Sequence, residues 1–322
     1  MNALTALLSM TGGFALLAVG GDTLVRGATT VARLAGLTPA VIGLTVVALG
    51  TSMPELAISV LSALRGQPDL AVGNVIGSNI FNIVGILALT ALVVPLPVRG
   101  SVVRLEWPVM FVTTMFAVLL MRDGEFSRVE GLGFLTALVT FIAYMVYLAR
   151  NEVKGAEARE FTSHVERRSI PARWRDTATA IAFVVAGMVL LAGGGQLLVS
   201  GAVRLARVIG MSERVIALTI VAVGTSMPEL AASVAAARRG NTDVAVANVI
   251  GSNIFNLLGI LAVTAIVRPI PINPALIASD TWWMLGTSIV LFPLMRTGFR
   301  LTRTEGAFLV AAYVVYLLFL LR

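Results

Sequence analysis

Gly50-Thr51-Ser52-Met53-Pro54-Glu55 recurs unchanged 174 residues further on, as Gly224-Thr225-Ser226-Met227-Pro228-Glu229. A second hexapeptide repeats in the same register: Gly77-Ser78-Asn79-Ile80-Phe81-Asn82 returns as Gly251-Ser252-Asn253-Ile254-Phe255-Asn256. Residues 42–97 align without a gap on 216–271, with 39 of 56 positions identical. The register also matches Gly20-Gly21 to Gly194-Gly195 and Arg33 to Arg207. Self-similarity on this scale means that the chain is built from two homologous halves.

Composition names the solvent of those halves. Of the 322 residues, 57% are hydrophobic and only 13% charged, with a mean hydropathy of +0.92. A soluble domain carries roughly 25% charged residues, so this chain is read as a bilayer protein. Ten apolar stretches stand out, at about 3–25, 38–64, 70–93, 105–121, 129–149, 177–203, 213–237, 244–267, 280–295 and 304–321. Most reach the roughly 20 residues that a spanning helix needs. The first is too long for a signal peptide and lacks a small-residue cleavage site, so it is expected to stay as a helix. The polar interval 150–176 separates a first unit, 1–149, from a second, 177–322. Five helices per unit is an odd number, so the second unit must enter the membrane from the opposite side. The expected fold is an all-α polytopic membrane protein of ten transmembrane helices in two inverted five-helix repeats, a plan common among secondary transporters.

The charge pattern gives an orientation. With both termini outside, the cytoplasmic segments hold Arg26, Arg33, Arg99, Arg104, Arg238, Arg239, Arg296, Arg300, Arg303 and seven basic residues of the linker 150–176, most of the 24 Lys and Arg residues. The positive-inside rule therefore puts the linker in the cytoplasm, in a multi-pass protein of the inner (plasma) membrane. A pI near 10.9 is that of many nucleic-acid binders, but the basic residues are scattered at the ends of apolar stretches, and no nucleic-acid partner is expected. Cysteine is absent and the one histidine, His164, lies in the polar linker. Neither thiolate nor imidazole chemistry is available at membrane depth, and Ser52 and Ser226 lack a His or Lys base, so no enzyme and no catalytic residue is expected.

The repeated motifs supply oxygen. Glu55 and Glu229 sit well inside apolar stretches, where an acid is expensive and marks function. Thr51 and Glu55 are four apart, as are Ser78 and Asn82, so each pair shares a helix face. Pro54 lacks an N–H and clashes with the carbonyl of Gly50, so the helix should open and expose carbonyls from Ala48 to Thr51. Broken helices are tolerated at this depth where they line a cavity or are covered by protein. Carboxylate, hydroxyl, amide and carbonyl oxygens without nitrogen or sulfur select hard cations, Ca²⁺ or Na⁺, over Mg²⁺, which gives up its waters reluctantly. The small residues Gly77, Ser78, Gly251 and Ser252 can equally serve close helix packing.

Other polar residues have structural readings. Glu106 and Asp280 are repeat partners, expected as acids at helix N-termini. Asp69 and Asp243 are expected in short turns, and Asp22, whose partner is Gln196, in a structural role. Trp107, Trp282 and Trp283 are expected as interfacial anchors.

On the doubled GTSMPE and GSNIFN motifs, the chain resembles the sodium/calcium exchanger family of the cation/calcium antiporters, in its compact prokaryotic form, over nearly its whole length. The resemblance implies that helices 2, 3, 7 and 8 surround the ions while helices 1 and 6 slide past them. It implies exchange of three Na⁺ for one Ca²⁺, with no cofactor and a monomeric functional unit. By motif position, Glu55 and Glu229 would bind Ca²⁺ with the main-chain carbonyls of Thr51 and Thr225. The resemblance would share Na⁺ among the carbonyls of Ala48 and Ala222, the hydroxyls of Ser52, Ser226, Ser78 and Ser252, and the two glutamates, with Asn82 and Asn256 flanking the centre. Some relatives carry an acid at one of those two asparagine positions, and this chain has amides at both, which weighs against a K⁺-dependent Na⁺/Ca²⁺ exchanger. A H⁺/Ca²⁺ antiporter, with protons on the same glutamates, is the nearest rival. A channel is disfavoured by closed repeats around a buried site.

Overall fold

The computed structural model describes residues 3–35, 38–152, 174–208, 220 and 222–320. Among the described residues, the regular structure is all-α apart from four two-residue strands. In the first half, α1 spans Ala3–Ala35, α2 Ala40–Thr51, α3 Met53–Leu64, α4 Pro68–Val93, α5 Val102–Asp123 and α6 Arg128–Glu152. In the second, α7 spans Trp174–Val208, α8 Ala222–Thr225, α9 Met227–Arg238, α10 Thr242–Val267, α11 residues 276–296 and α12 Arg303–Leu320. Among the described residues, seven helices are long and apolar enough to cross a membrane, and the bent pair α2–α3 makes an eighth.

Several helices outrun their apolar stretches. α1 was expected over 3–25 and runs ten residues further, carrying Asp22 and Arg26 on its polar end. At 1.5 Å per residue its 33 residues span about 50 Å, longer than the roughly 30 Å hydrocarbon core. α5 and α11 also begin earlier than their expected starts at 105 and 280, each through a π-turn, Val102–Glu106 and Leu276–Asp280. Glu106 and Asp280 thus lie within helices rather than at N-termini, and both are buried. The Tyr316 hydroxyl donates to Asp280 Oδ1 at 3.0 Å. Residues 153–173, with His164, and 209–219, which include the expected start of the seventh stretch, lie outside the described residues.

The halves interlock. α4 and α10 form the centre, with 83% of an 18-residue apolar stretch of each buried inside the protein. α2 of the first half packs on α10 of the second, and α8 packs on α4. At the first of these crossings, a Cβ on Gly43 would stand 2.8 Å from the Val244 carbonyl oxygen, so the backbones touch directly. α1 and α7 lie side by side along a seam of glycines, 13, 20 and 27 in α1 and 187, 194 and 201 in α7. Seven-residue spacing is close to two helical turns and keeps each set on one face. Small residues let membrane helices approach this closely.

The strands also join the halves. β1 (Leu96–Pro97), after α4, pairs with β4 (Arg300–Leu301), and β2 (Glu125–Phe126), after α5, pairs with β3 (Ile270–Pro271), after α10. One extra residue, Phe299 (φ 49°), follows Gly298 and shifts the register of the last helix by one. Both last helices are nonetheless capped alike: Glu130 accepts from the Ser127 backbone at 2.6 Å, and Glu305 from that of Thr302 at 2.7 Å. These are reciprocal capping boxes.

The tryptophans divide. Trp282 is exposed, with the Arg122 guanidinium 5.2 Å over its ring. Trp107 is a packing residue instead: its indole donates to the Ser288 carbonyl at 2.9 Å and stacks on Phe111. Trp283 packs against Tyr316.

Candidate cation site

Pro54 and Pro228 each stand in the first turn of a helix, where the missing N–H leaves no intrahelical bond unmade. The break falls just before them. Ser52 leaves helical geometry (φ −84°, ψ 8°), Ser226 does the same (φ −87°, ψ 7°), and α2 and α3 meet at a 44° bend. The expected opening is smaller than a full break. The Ala48 carbonyl still accepts the Ser52 N–H at 3.0 Å and lies 3.3 Å from the Thr51 hydroxyl.

The bend aims each serine across the molecule. Ser52 donates to Glu229 Oε1 at 2.7 Å, and Ser226 donates to Glu55 Oε1 at 2.9 Å. Ser52 also reaches Ser252 at 3.3 Å, and Ser226 reaches Ser78 at 3.1 Å. Six of the residues singled out from sequence therefore form two buried triples, Ser52–Glu229–Ser252 and Ser226–Glu55–Ser78, with each half's hydroxyl on the other half's carboxylate. Glu55 and Glu229 are each 1% exposed.

The remaining expected residues lie on the helices that carry these contacts. Asn82 donates to Asn253 Oδ1 at 3.0 Å, and Asn256 is buried. Thr51 and Thr225 are buried; the Thr51 hydroxyl donates to the Val47 carbonyl at 3.0 Å, and the Thr225 hydroxyl lies 3.1 Å from the Ala222 carbonyl and 3.3 Å from Asn74 Oδ1 of the other half.

Four polar residues outside the expected set support the glutamates. Asn74 donates to the Glu55 carbonyl at 3.2 Å and to Ser59 at 3.0 Å. Asn248 donates to the Glu229 carbonyl at 3.4 Å and to Ser233 at 3.0 Å. The spacing carried this signal: Ser59 is four residues after Glu55, and Asn74, Ser78 and Asn82 form one row at four-residue intervals.

Several buried side-chain oxygens have no hydrogen-bond partner: Glu55 Oε2, Glu229 Oε2 and those of Asn79, Asn82, Asn248 and Asn256, and also Glu106 Oε2 and Thr264 Oγ1. Buried acceptors left unpaired are costly, and the free oxygen on each glutamate is one that a desolvated hard cation would satisfy.

Two buried glutamates among hydroxyls at the junction of two homologous halves, in a chain with several membrane-length helices, make a candidate cation site of a membrane transporter. The family model "Sodium/calcium exchanger protein" matches residues 5–149 and 179–322, and the chain belongs to that family of exchangers, which are transporters and not enzymes. It is 37% identical over 316 residues to the inner membrane protein YrbG of Escherichia coli (strain K12), covering 97% of this chain and 95% of the relative. It is 29% identical over 336 residues to the sodium/calcium exchanger MaX1 of Methanosarcina acetivorans, covering 96% of each. Its fold matches that of the sodium-calcium exchanger NCX_Mj with a TM-score of 0.82 and 29% identity, over 98% of both chains.

Proposed function

We propose that the chain exchanges Na⁺ for Ca²⁺ across the cell's inner membrane by alternating access, with Glu55 and Glu229 as the carboxylates that both ions share. The observation that carries this reading is the buried, unpartnered oxygen on each of the two glutamates. Ca²⁺ takes 6–8 oxygens, and two carboxylates neutralise its charge. Thr51 and Thr225 main-chain carbonyls complete that set. The hydroxyls of Ser52, Ser226, Ser78 and Ser252, with the Ala48 and Ala222 carbonyls, offer the neutral oxygens that Na⁺ accepts, and Asn82 and Asn256 flank the centre. Because the two ions would compete for the same atoms, coupling needs no second site.

Ten helices in two inverted repeats are part of the reading. β1 and β2 stand at opposite ends of α5, and β1 pairs with β4 while β2 pairs with β3. α4 runs into β1 and α10 into β3, which supports antiparallel courses for these two equivalent helices. Arg99, Arg239, Arg300 and Arg303 gather at the β1–β4 end. That gathering supports a cytoplasmic β1–β4 end and linker, with both termini outside.

The test is Ca²⁺ uptake into Na⁺-loaded proteoliposomes. Uptake should start when external Na⁺ is removed. At three Na⁺ per Ca²⁺ an inside-positive potential should accelerate it, since each cycle then carries one net charge outward, at roughly 2.3 kcal/mol per 100 mV. Uptake that ignores the Na⁺ gradient but runs on a pH gradient in Na⁺-free buffer would replace Na⁺ by protons on the same glutamates.

A further inference from the structure

The two long helices α1 and α7 are repeat partners, yet they meet the rest of the molecule differently. α1 lies along α9, whereas α7 touches α3, the equivalent of α9, only at its margin. The glycines at equivalent positions record this. A Cβ on Gly21 would stand 2.8 Å from the Ala231 carbonyl oxygen of α9. A Cβ on Gly195 would meet no α3 atom, its nearest neighbour being the Pro228 side chain at 3.4 Å. The seam between the long helix and the broken helix is closed at the β1–β4 end and open at the β2–β3 end.

The closed seam carries an ion pair that the open one lacks the residues to make. Asp22 of α1 accepts from Arg239, at the end of α9, through the guanidinium Nε and Nη2, and its other oxygen meets Arg26 Nη2 at 3.0 Å. Adding the repeat interval turns Asp22 into Gln196, and subtracting it turns Arg239 into Arg65. Both Gln196 and Arg65 are exposed.

We propose that Asp22 and Arg239 are a latch that holds the exchanger closed at the β1–β4 end, and that Gln196 leaves the opposite state without an equivalent. The inference rests on the alternating-access reading. If the two states exchange the conformations of the two halves, a bond with an equivalent weighs on both states alike. A bond without one weighs on a single state, and an interaction shifts an equilibrium only by its difference between states. The pair is partly solvated, with side chains 32% and 40% exposed. Such pairs are worth modest energies, so the bias is about two- to five-fold in population.

The chain has no cysteine, which permits spin labelling without background. One label pair at Thr23 and Arg238 reports the closed seam, and its equivalent at Leu197 and Leu64 reports the open one. Distances are measured by pulsed electron resonance in nanodiscs without Na⁺ or Ca²⁺. The unsubstituted latch should show Thr23–Arg238 short and Leu197–Leu64 long. Asp22→Asn and, independently, Arg239→Gln should each move about two- to five-fold more molecules to the reverse pattern. Gln196→Asp, which supplies Arg65 with a partner, should move them the same way by building the missing latch. In Gln196→Asp the Leu197–Leu64 distribution should become narrow, whereas in Asp22→Asn it stays broad. The inference is overturned if the Asp22→Asn and Arg239→Gln distributions superimpose on the unsubstituted ones, or if both label pairs simply lengthen. Because no transport is measured, these shifts with no Na⁺-driven Ca²⁺ uptake would count against the exchange reading alone.

Discussion

Around the glutamates the two halves mirror one another nearly bond for bond: Ser52 on Glu229 at 2.7 Å, Ser226 on Glu55 at 2.9 Å, Asn74 and Asn248 on the carbonyls of Glu55 and Glu229. At the two rims the mirror fails. Arg99 makes an ion pair with Asp243 at 2.6 Å, where its equivalent Asn273 makes a neutral hydrogen bond to Asp69 at 3.1 Å. Asp22 makes an ion pair with Arg239, where Gln196 brings no charge to match Arg65. The difference separates two tasks. A site shared by both halves must present the same oxygens whichever side is open, so its residues are held alike. Under the alternating-access reading, the rims would decide which side is open, and equality there would leave neither state favoured.

The sharpest way to break the comparison is at the carboxylates. Glu55→Gln and Glu229→Gln each leave one buried carboxylate facing a divalent ion, and breaking a buried charge pair costs about 3–5 kcal/mol. Each should reduce Ca²⁺ uptake more than about 100-fold, measured in the same proteoliposomes. A deep loss in one variant with near-normal flux in the other would mean that the two halves do not share the ion equally.

The cross-bonded residues of the candidate site were legible in sequence because both motifs occur twice, which made every candidate residue its own control. Glu55, Ser52 and Ser78 were singled out with their repeat partners, and each takes part in a contact between the halves. The π-turns were not legible. Asn82–Leu87 and Asn256–Leu261 are wound with one extra residue per turn, yet their apolar composition is indifferent to that. The extent of α1 was missed because an apolar window ends at the first charges, while the helix ends where its backbone bonds end. Glu106 was misplaced for the same reason. A π-turn carries α5 upstream of it, and burial replaces the cap that its position suggested.

The serines test the cross-bonding itself. A hydrogen bond to a charged group is worth about 1.5–3 kcal/mol. Ser52→Ala and Ser226→Ala should therefore each weaken apparent Ca²⁺ affinity by about 10- to 100-fold. The two losses should be similar, read from the Ca²⁺ dependence of initial uptake. Two unlike values would sharpen the comparison, locating the ion nearer one half.

At Gly21 and Gly195 the halves should part. Gly21→Ala drives a methyl group into the α9 backbone, and overpacking of this kind costs about 1–3 kcal/mol. Its thermal unfolding midpoint in detergent should fall, while Gly195→Ala, with its nearest contact at 3.4 Å, should unfold close to the unsubstituted protein. Gly195→Ala should still slow exchange, because α7 must approach α3 as closely as α1 approaches α9 when the other end closes. A Gly195→Ala protein with full flux would show that the second seam never closes so tightly.

The smallest effect lies at the ends of α4 and α10. Arg99 and Asp243 have side chains 41% and 24% exposed, so their ion pair is worth about 0–1 kcal/mol and is screened by salt. Arg99→Ala should lower the unfolding midpoint slightly at low ionic strength, and the deficit should shrink as choline chloride, which supplies no transported ion, is raised towards 1 M, where the screening length is about 3 Å. Asn273→Ala removes a hydrogen bond that carries no net attraction between charges, so its deficit should not respond to salt. The choline dependence separates the two variants even where their midpoints are similar. If both respond alike, then Asp69 meets a positive charge in addition to the neutral Asn273 amide, and the rims are more alike than their residues suggest.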